Sequence, residues 1–308
     1  MRKTGTDDHH GLADPTDARA NCGVGAVVDL ENGASHRTVA DALELLGNLE
    51  HRGATGADPD TGDGAGIMIQ RPDAFFDGVV DVDLPETYAA GTVFMPDDAD
   101  ARAELMDRFE ACLAANDIET LAWRDVPTDN SELGETALEG EPDVWQVFVA
   151  PDGLDADVFD RALYVARKEI EHAVEDADPA GAERFYIPSL DRKRVVYKGL
   201  LTSEQLPGYY PDLQDERVES AIALVHARFS TNTLGAWHLA HPYRGIIHNG
   251  EFNTIRGNVN WMRARETDLA DETFGDDLER LKPIVDDPEQ SDTASVDNTL
   301  ELLTSTGR

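Results

Sequence analysis

Asn21-Cys22-Gly23-Val24-Gly25-Ala26-Val27-Val28-Asp29 is a run of small and β-branched residues that opens with one of only two cysteines in the 308-residue chain. Its composition predicts a strand beginning at Gly23 and puts the Cys22 thiol at the strand's mouth. A thiol there is either a small buried hydrophobe or a nucleophile, and Cys22 alone leaves both readings open. Residues 1 to 21 are polar, carry the pair His9-His10 and show no periodicity, which predicts a flexible leader.

Downstream, Val39, Ala42, Leu43, Leu46 and Leu49 recur at helical spacing over Thr38 to Leu49, and this helix is expected to end near Gly53. Thr61-Gly62-Asp63-Gly64-Ala65-Gly66 feeds the buried strand Ile67-Met68-Ile69-Gln70. Its alternate glycines match no dinucleotide or Walker spacing and no helix follows, so a tight turn is the reading rather than a phosphate cradle. Strands are expected at Gly91 to Met95, near Thr120 and at Val144 to Val149, with a helix at Asp98 to Ala115. A second helix carries Phe159, Leu163, Ala166, Ile170 and Val174 on one face. Thr128 to Asp143 is acidic and reads as a surface loop. Phe185 to Tyr197 and Ile222 to Phe229 are β-branched and aromatic. A short strand is expected around Ile246-Ile247-His248, then helices over Asp277 to Val285 and Ser295 to Leu303.

The composition, 41% hydrophobic and 29% charged, is that of a globular protein large enough for a substantial core. No apolar run is long enough for a spanning helix and the first twenty residues lack a signal-peptide centre, so a cytoplasmic enzyme is expected. Cys22 and Cys112 cannot form a disulfide framework; Cys112 shares a helical face with Leu105, Phe109 and Leu113 and reads as structural. The formal net charge is −36, with only five lysines. That excess of like charge argues against nucleic acid as a partner and predicts a halophilic protein, relieved of self-repulsion by salt. His226, His238, His241 and His248 raise a zinc reading, but His238-Leu239-Ala240-His241 lacks the Glu and the i, i+4 pair of a metalloprotease helix, and Pro242 follows. Structural histidines are expected, with no metal.

Three segments set polar groups at the ends of expected strands: Asn21-Cys22-Gly23-Val24-Gly25, Ala227-Arg228-Phe229-Ser230-Thr231-Asn232-Thr233, and His248-Asn249-Gly250-Glu251-Phe252-Asn253-Thr254. With Leu49-Glu50-His51-Arg52-Gly53-Ala54, the Thr61–Gly66 turn, Gly257-Asn258, Trp261, and Ser291-Asp292-Thr293-Ala294-Ser295 with Asp297-Asn298, they form an ordered set covering nearly everything from Cys22 onward. This set resembles the class II (N-terminal nucleophile) glutamine amidotransferase domain, most closely the glutaminase domain of the glutamate synthase large subunit.

The resemblance implies an α+β fold, a four-layer αββα sandwich of the N-terminal nucleophile hydrolase type, with 1–21 a leader or propeptide removed after Asn21 and 22–308 the amidotransferase domain. It implies hydrolysis of L-glutamine to glutamate and ammonia through a Cys22 thioester. An α-amine, with an ordinary pKa of about 7.7 to 8.0, can take the thiol proton, whereas an amide nitrogen cannot. Asn249 and the Gly250 N–H would be the oxyanion donors, although Asn-Gly by itself also reads as a hairpin turn. Arg228 would bind the substrate carboxylate through its planar fork and Asp292 the ammonium. Arg52 would position and Thr231 would line the pocket. The ammonia would go to a synthase domain or subunit, in cis or in trans, that makes glutamate from 2-oxoglutarate; FMN and an iron-sulfur cluster are expected only there. The resemblance also implies a longer domain than this chain supplies, so a fragment, a truncated product and a split subunit all stay open. So do a glutamine-binding remnant without catalysis and an amidotransferase feeding a different synthase.

Overall fold

The computed structural model describes residues 22–31, 33–53, 55, 58–229, 235–250, 252–285 and 291–306. The expected leader and Thr231 lie outside the described residues. In chain order the elements are β1 (Gly23–Val28), α1 (His36–Asn48), β2 (Ala65–Gln70), α2 (Asp73–Val79), β3 (Ala89–Met95), α3 (Ala99–Ala114), β4 (Ile118–Asp125) and α4 (Glu135–Glu139). Then follow β5 (Asp143–Pro151), α5 (Ala156–Ala177), β6 (Tyr186–Asp191), β7 (Arg194–Gly199), α6 (Leu206–Tyr209), β8 (Ile222–Ala227), α7 (Ile255–Glu266) and α8 (Asp292–Ser305).

The strands form two antiparallel four-stranded sheets, β1-β8-β2-β7 and β4-β5-β3-β6, and the short turn from β6 to β7 carries the chain from the second sheet to the first. β1 pairs with β8 in the register Gly23–Ala227 through Val28–Ile222. Helix α1 packs on the first sheet: Val39, Ala42 and Leu46 join Ile67, Ile69, Val225 and Ala227 in one cluster that runs on to Ala90, Phe94 and Phe148 of the second sheet. The other face of the second sheet, Ala89, Val93, Val147 and Val149, is covered by Leu105 and Phe109 of α3 and Phe159, Leu163 and Ile170 of α5. Each such fully buried side chain contributes about 1.5–3 kcal/mol. The layers are therefore helix, sheet, sheet and helix, the αββα arrangement of the N-terminal nucleophile hydrolases. Gly25 eases the packing of the first layer: a Cβ there would meet Leu45 Cδ2 at 2.5 Å, so a larger residue would require the Leu45 side chain of α1 to turn aside.

Local signals account for the helix ends. Asp98 caps α3 by accepting from the Asp100 and Ala101 amides, and Asp155 caps α5 by accepting from Val158. The last helix starts earlier than the apolar spacing predicts, because Ser291 accepts from the Ala294 amide at 3.1 Å and the helix opens at Asp292.

Three expectations are corrected and one helix is added. The acidic stretch 128–143 contains α4, whose Ala137 is buried and whose carbonyl accepts from the Trp237 indole. No strand forms at Ile246-Ile247-His248: the Ile246 carbonyl accepts from the Tyr243 amide and the His248 carbonyl from a side chain, so these groups do not enter a ladder. Residues 277–285 are not an α-helix; a 3-10 helix over Gly275–Leu281 stops before Lys282-Pro283, where the proline ring disfavours helical backbone at the preceding residue. Helix α7 carries no apolar stripe to betray it: only Val259 and Glu266 are buried, and Trp261 is 72% exposed.

Between α5 and α8 lies a buried ionic group. Arg167 donates to both oxygens of Glu171 at 2.6 Å and to Glu301 at 2.5 Å. Arg244 donates to Asn298 Oδ1 at 2.5 Å and lies 3.3 Å from Glu301. Burial works to raise the Glu171 carboxyl, but the two guanidinium groups overcome it and hold it at about 2.

Candidate active site

Antiparallel pairing brings the first chemistry-bearing residues together. Continuing the Gly23–Ala227 register by one step sets Cys22 against Arg228, and the Cys22 sulfur accepts from the Phe229 amide at 3.3 Å. Burial pushes the thiol above its ordinary value; the Phe229 N–H bond and the Arg228 cation pull the other way without cancelling it. A buried thiol of this kind is mostly protonated near neutral pH and requires a base.

Arg228 is 6% exposed, and backbone carbonyls help to aim it. Its own amide donates to the Gly64 carbonyl at 2.8 Å, and its Nη1 donates to the Asp63 carbonyl at 3.1 Å. Both carbonyls belong to the glycine-rich turn read from the sequence, so the turn that opens β2 also positions the guanidinium. Arg52 ends the 3-10 turn after α1 and stands beside the start of β1, its Cβ 3.1 Å from where a Cβ on Gly23 would be.

The second group sits on the loop after residue 243. His226 of β8, fully buried, donates from Nε2 to the His248 carbonyl at 2.8 Å. The His248 ring stacks on Phe252 with centroids 4.4 Å apart. The Gly250 amide, expected as an oxyanion donor, is turned onto His248 Nδ1 at 3.3 Å, and Thr293 Oγ1 lies equally close to that nitrogen. The Asn249 side-chain oxygen is buried with no hydrogen-bond partner among the described residues. Asp292, first residue of α8, accepts from the Phe252 amide at 2.7 Å and from the Thr293 amide at 2.7 Å. Farther along α8, Asp297 accepts from the Arg244 and Gly245 amides at 3.2 and 2.8 Å. Arg228, Asn249-Gly250 and Asp292 thus belong to one connected region around β8 and the start of α8, whereas Arg52 approaches Cys22 from the α1 side.

Among the described residues no group of three or more His, Cys, Asp or Glu is placed to hold a metal, and no helix is long and apolar enough to cross a membrane. The four histidines of the zinc reading are dispersed in role: His226 stacks on His241 with ring centroids 4.1 Å apart, and His238 packs near Tyr186. Cys112 is partly buried against the core between the second sheet and its helices. Asp63, Gly64 and Asp297 went unread from the sequence as builders of the site, because two act through carbonyls that any residue could offer.

The family model described as class-II glutamine amidotransferases matches residues 22–308. The chain is 43% identical over 305 residues to the glutamate synthase [NADPH] large chain of Bacillus subtilis, covering 97% of this chain and 20% of that one. It is 44% identical over 309 residues to glutamate synthase [NADH] of Schizosaccharomyces pombe, covering 96% and 14% respectively. With the chloroplastic ferredoxin-dependent glutamate synthase 2 of Arabidopsis thaliana it shares 41% over 304 residues, covering 96% and 18%. The chain spans a fifth or less of the length of these relatives.

Proposed function

The chain belongs to the class II glutamine amidotransferases, and from that membership we propose that it hydrolyses L-glutamine to glutamate and ammonia with Cys22 as nucleophile. The observation that carries this reading is the partly buried Cys22 thiol set against Arg228, with the Asn249-Gly250 loop tied to β8. Cleavage after Asn21 turns the Cys22 amide nitrogen into an α-amine. That amine takes the thiol proton, and the sulfur bonds to the substrate's side-chain amide carbon. The resulting oxyanion is met by Asn249 and by the Gly250 N–H, once substrate draws that amide from His248. The carbon–nitrogen bond then breaks, the proton leaves with ammonia, and a γ-glutamyl thioester remains. Water, deprotonated by the same amine, attacks the thioester and releases glutamate and the thiol.

Arg228 holds the substrate carboxylate and Asp292 its ammonium, one partner of each sign for a zwitterion. Arg52 positions the nucleophile end, and Thr231, outside the described residues, is the remaining residue proposed for substrate binding. The kinship with glutamate synthases supports delivery of the ammonia to a synthase domain or subunit that forms glutamate from 2-oxoglutarate. Its FMN and iron-sulfur cluster would lie outside this chain, whose two cysteines are too few to ligate a cluster. The setting is cytoplasmic.

The test is ammonia release from glutamine by protein whose intact mass begins at Cys22, compared with Cys22→Ala. The expected outcome is turnover in the first and a loss of at least about 10³-fold in the second. Equal rates would refute the nucleophile assignment, and an active preparation still carrying residues 1–21 would refute the role of the α-amine.

A further inference from the structure

His226 is the penultimate residue of β8, and Arg228, two residues on, immediately follows the strand's end at Ala227 with its amide still bonded to the Gly64 carbonyl. One touches the loop of the expected oxyanion donors; the other is the expected carboxylate anchor. We infer that His226 is a positioning residue for the glutaminase reaction, a tether that fixes the Asn249-Gly250 loop at a set distance from Arg228 by holding the His248 carbonyl. The inference rests on the proposed function for its kinetic arm, and its structural arm stands without it.

The geometry restricts what His226 can be doing. A carbonyl only accepts, so the Nε2 atom 2.8 Å from His248 O carries the proton and Nδ1 is left with its lone pair. Nδ1 is buried with no partner, as is Nδ1 of His241, whose ring lies 4.1 Å away at 18°. Burial holds His226 at about 4 and His241 well below its usual range, so near neutral pH the pair is two uncharged rings. Among the described residues the hydrogen bond His226 makes is the one to the His248 carbonyl, so holding that loop is the role its contacts show.

The carbonyl it holds matters because of what surrounds it. The loop has no ladder of its own at 246–248, so its backbone depends on side chains. Asp297 takes the Arg244 and Gly245 amides at one end, and Asp292 takes the Phe252 amide at the other. His226 holds the middle, one residue from Asn249 and two from Gly250. Without it the loop would remain attached at both ends and lose its register against the strand that carries Arg228.

His226→Leu and His226→Gln are compared in the full chain processed to Cys22. Hydrogen exchange of the peptide spanning 246–252 reads the tether directly, and glutamine turnover and iodoacetamide alkylation of Cys22 read its consequence. His226→Leu is expected to raise that exchange about tenfold and to lower kcat about 10²-fold, near the loss of one oxyanion donor. KM for glutamine should stay within about threefold, and alkylation of the thiol, which needs no oxyanion donor, should be unchanged. His226→Gln, whose amide N–H can reach the same carbonyl, should recover most of kcat. Should His226→Leu fail to fold, His226→Gln with wild-type exchange and turnover supports the tether, and His226→Gln as impaired in turnover as Cys22→Ala overturns it. Wild-type exchange in folded His226→Leu, or a loss confined to KM, overturns it as well. Processed wild type without turnover would strike the proposed function instead, and the exchange result would then decide the tether alone.

Discussion

Gly66 of β2 offers the sharpest test of how tightly the site is built. It faces His226 on β8 and Lys198 on β7 in the sheet, and a Cβ added to it would fall on the carbonyl oxygen of His241, 2.6 Å from Lys198 Cβ and 2.8 Å from the Tyr197 carbonyl oxygen. Two of those three atoms are backbone, and Lys198 cannot yield: it is fully buried and its ammonium donates to the His238 and Ala240 carbonyls at 2.9 and 2.7 Å. Gly66→Ala therefore forces the segment at His241 outward by about 1 Å, an overpacking that costs roughly 1–3 kcal/mol. For a domain of this size each kcal/mol moves the melting temperature by roughly 2–4 °C, so a fall of about 5 °C is expected. Because the His241 ring stacks on His226, the displacement should also lower glutaminase turnover by about tenfold. Differential scanning calorimetry and an ammonia-release assay read the two effects. Gly47→Ala is the control: a Cβ there, in the last turn of α1, meets nothing within 4 Å, and the change should raise the melting temperature by about 1–2 °C, since alanine is favoured over glycine in a helix. A Gly66→Ala protein melting with wild type would refute the claim that the segment over β2 is held at closest approach.

Three further outcomes are expected. The net charge of −36 should make the melting temperature rise by at least about 5 °C between low and molar salt, as screening relieves repulsion; a flat profile would remove the halophilic reading. The raised Cys22 thiol should leave its alkylation by iodoacetamide still accelerating at about pH 9, and Arg228→Gln, which removes a cation that favours the thiolate, should shift the profile further alkaline; a plateau by about pH 8 would contradict both. Glu301→Ala leaves Arg167 and Arg244 buried with one carboxylate fewer between them and should cost about 3–5 kcal/mol in urea unfolding, with a loss under about 1 kcal/mol counting against a coupled network.

What could be read from residues alone followed the physics of each segment. β1, α1, β5 and α5 bury one face against one neighbour, so their apolar spacing is visible in the chain. α7 packs through little more than Val259, and the start of α8 is set by the Ser291 hydroxyl rather than by apolar residues, so neither could be located by periodicity. Ile246-Ile247-His248 has strand composition, but its carbonyls are spent on a turn and on His226. In the proposed site, Cys22, Arg228 and Asp292 could be picked out of the sequence because the proposed chemistry calls for those side-chain types. The groups that aim them are the Asp63 and Gly64 carbonyls and the His226 imidazole. Carbonyls have no residue signature, and a buried histidine looks the same in sequence whether it fills a core or holds a loop.

The register of β1 has a consequence in time. Its partner in the sheet is β8, and the contact between Cys22 and Phe229 closes a separation of 207 residues. No local hairpin can assemble this end of the sheet, and pairing over such a span is among the slowest events in folding. During synthesis the thiol is made 207 residues before Phe229, its partner just beyond the strand that will shelter it. The Cys22 pocket therefore has no precursor in a partly made chain. Any chemistry at the Asn21–Cys22 bond that depends on that pocket is gated by completion of the fold.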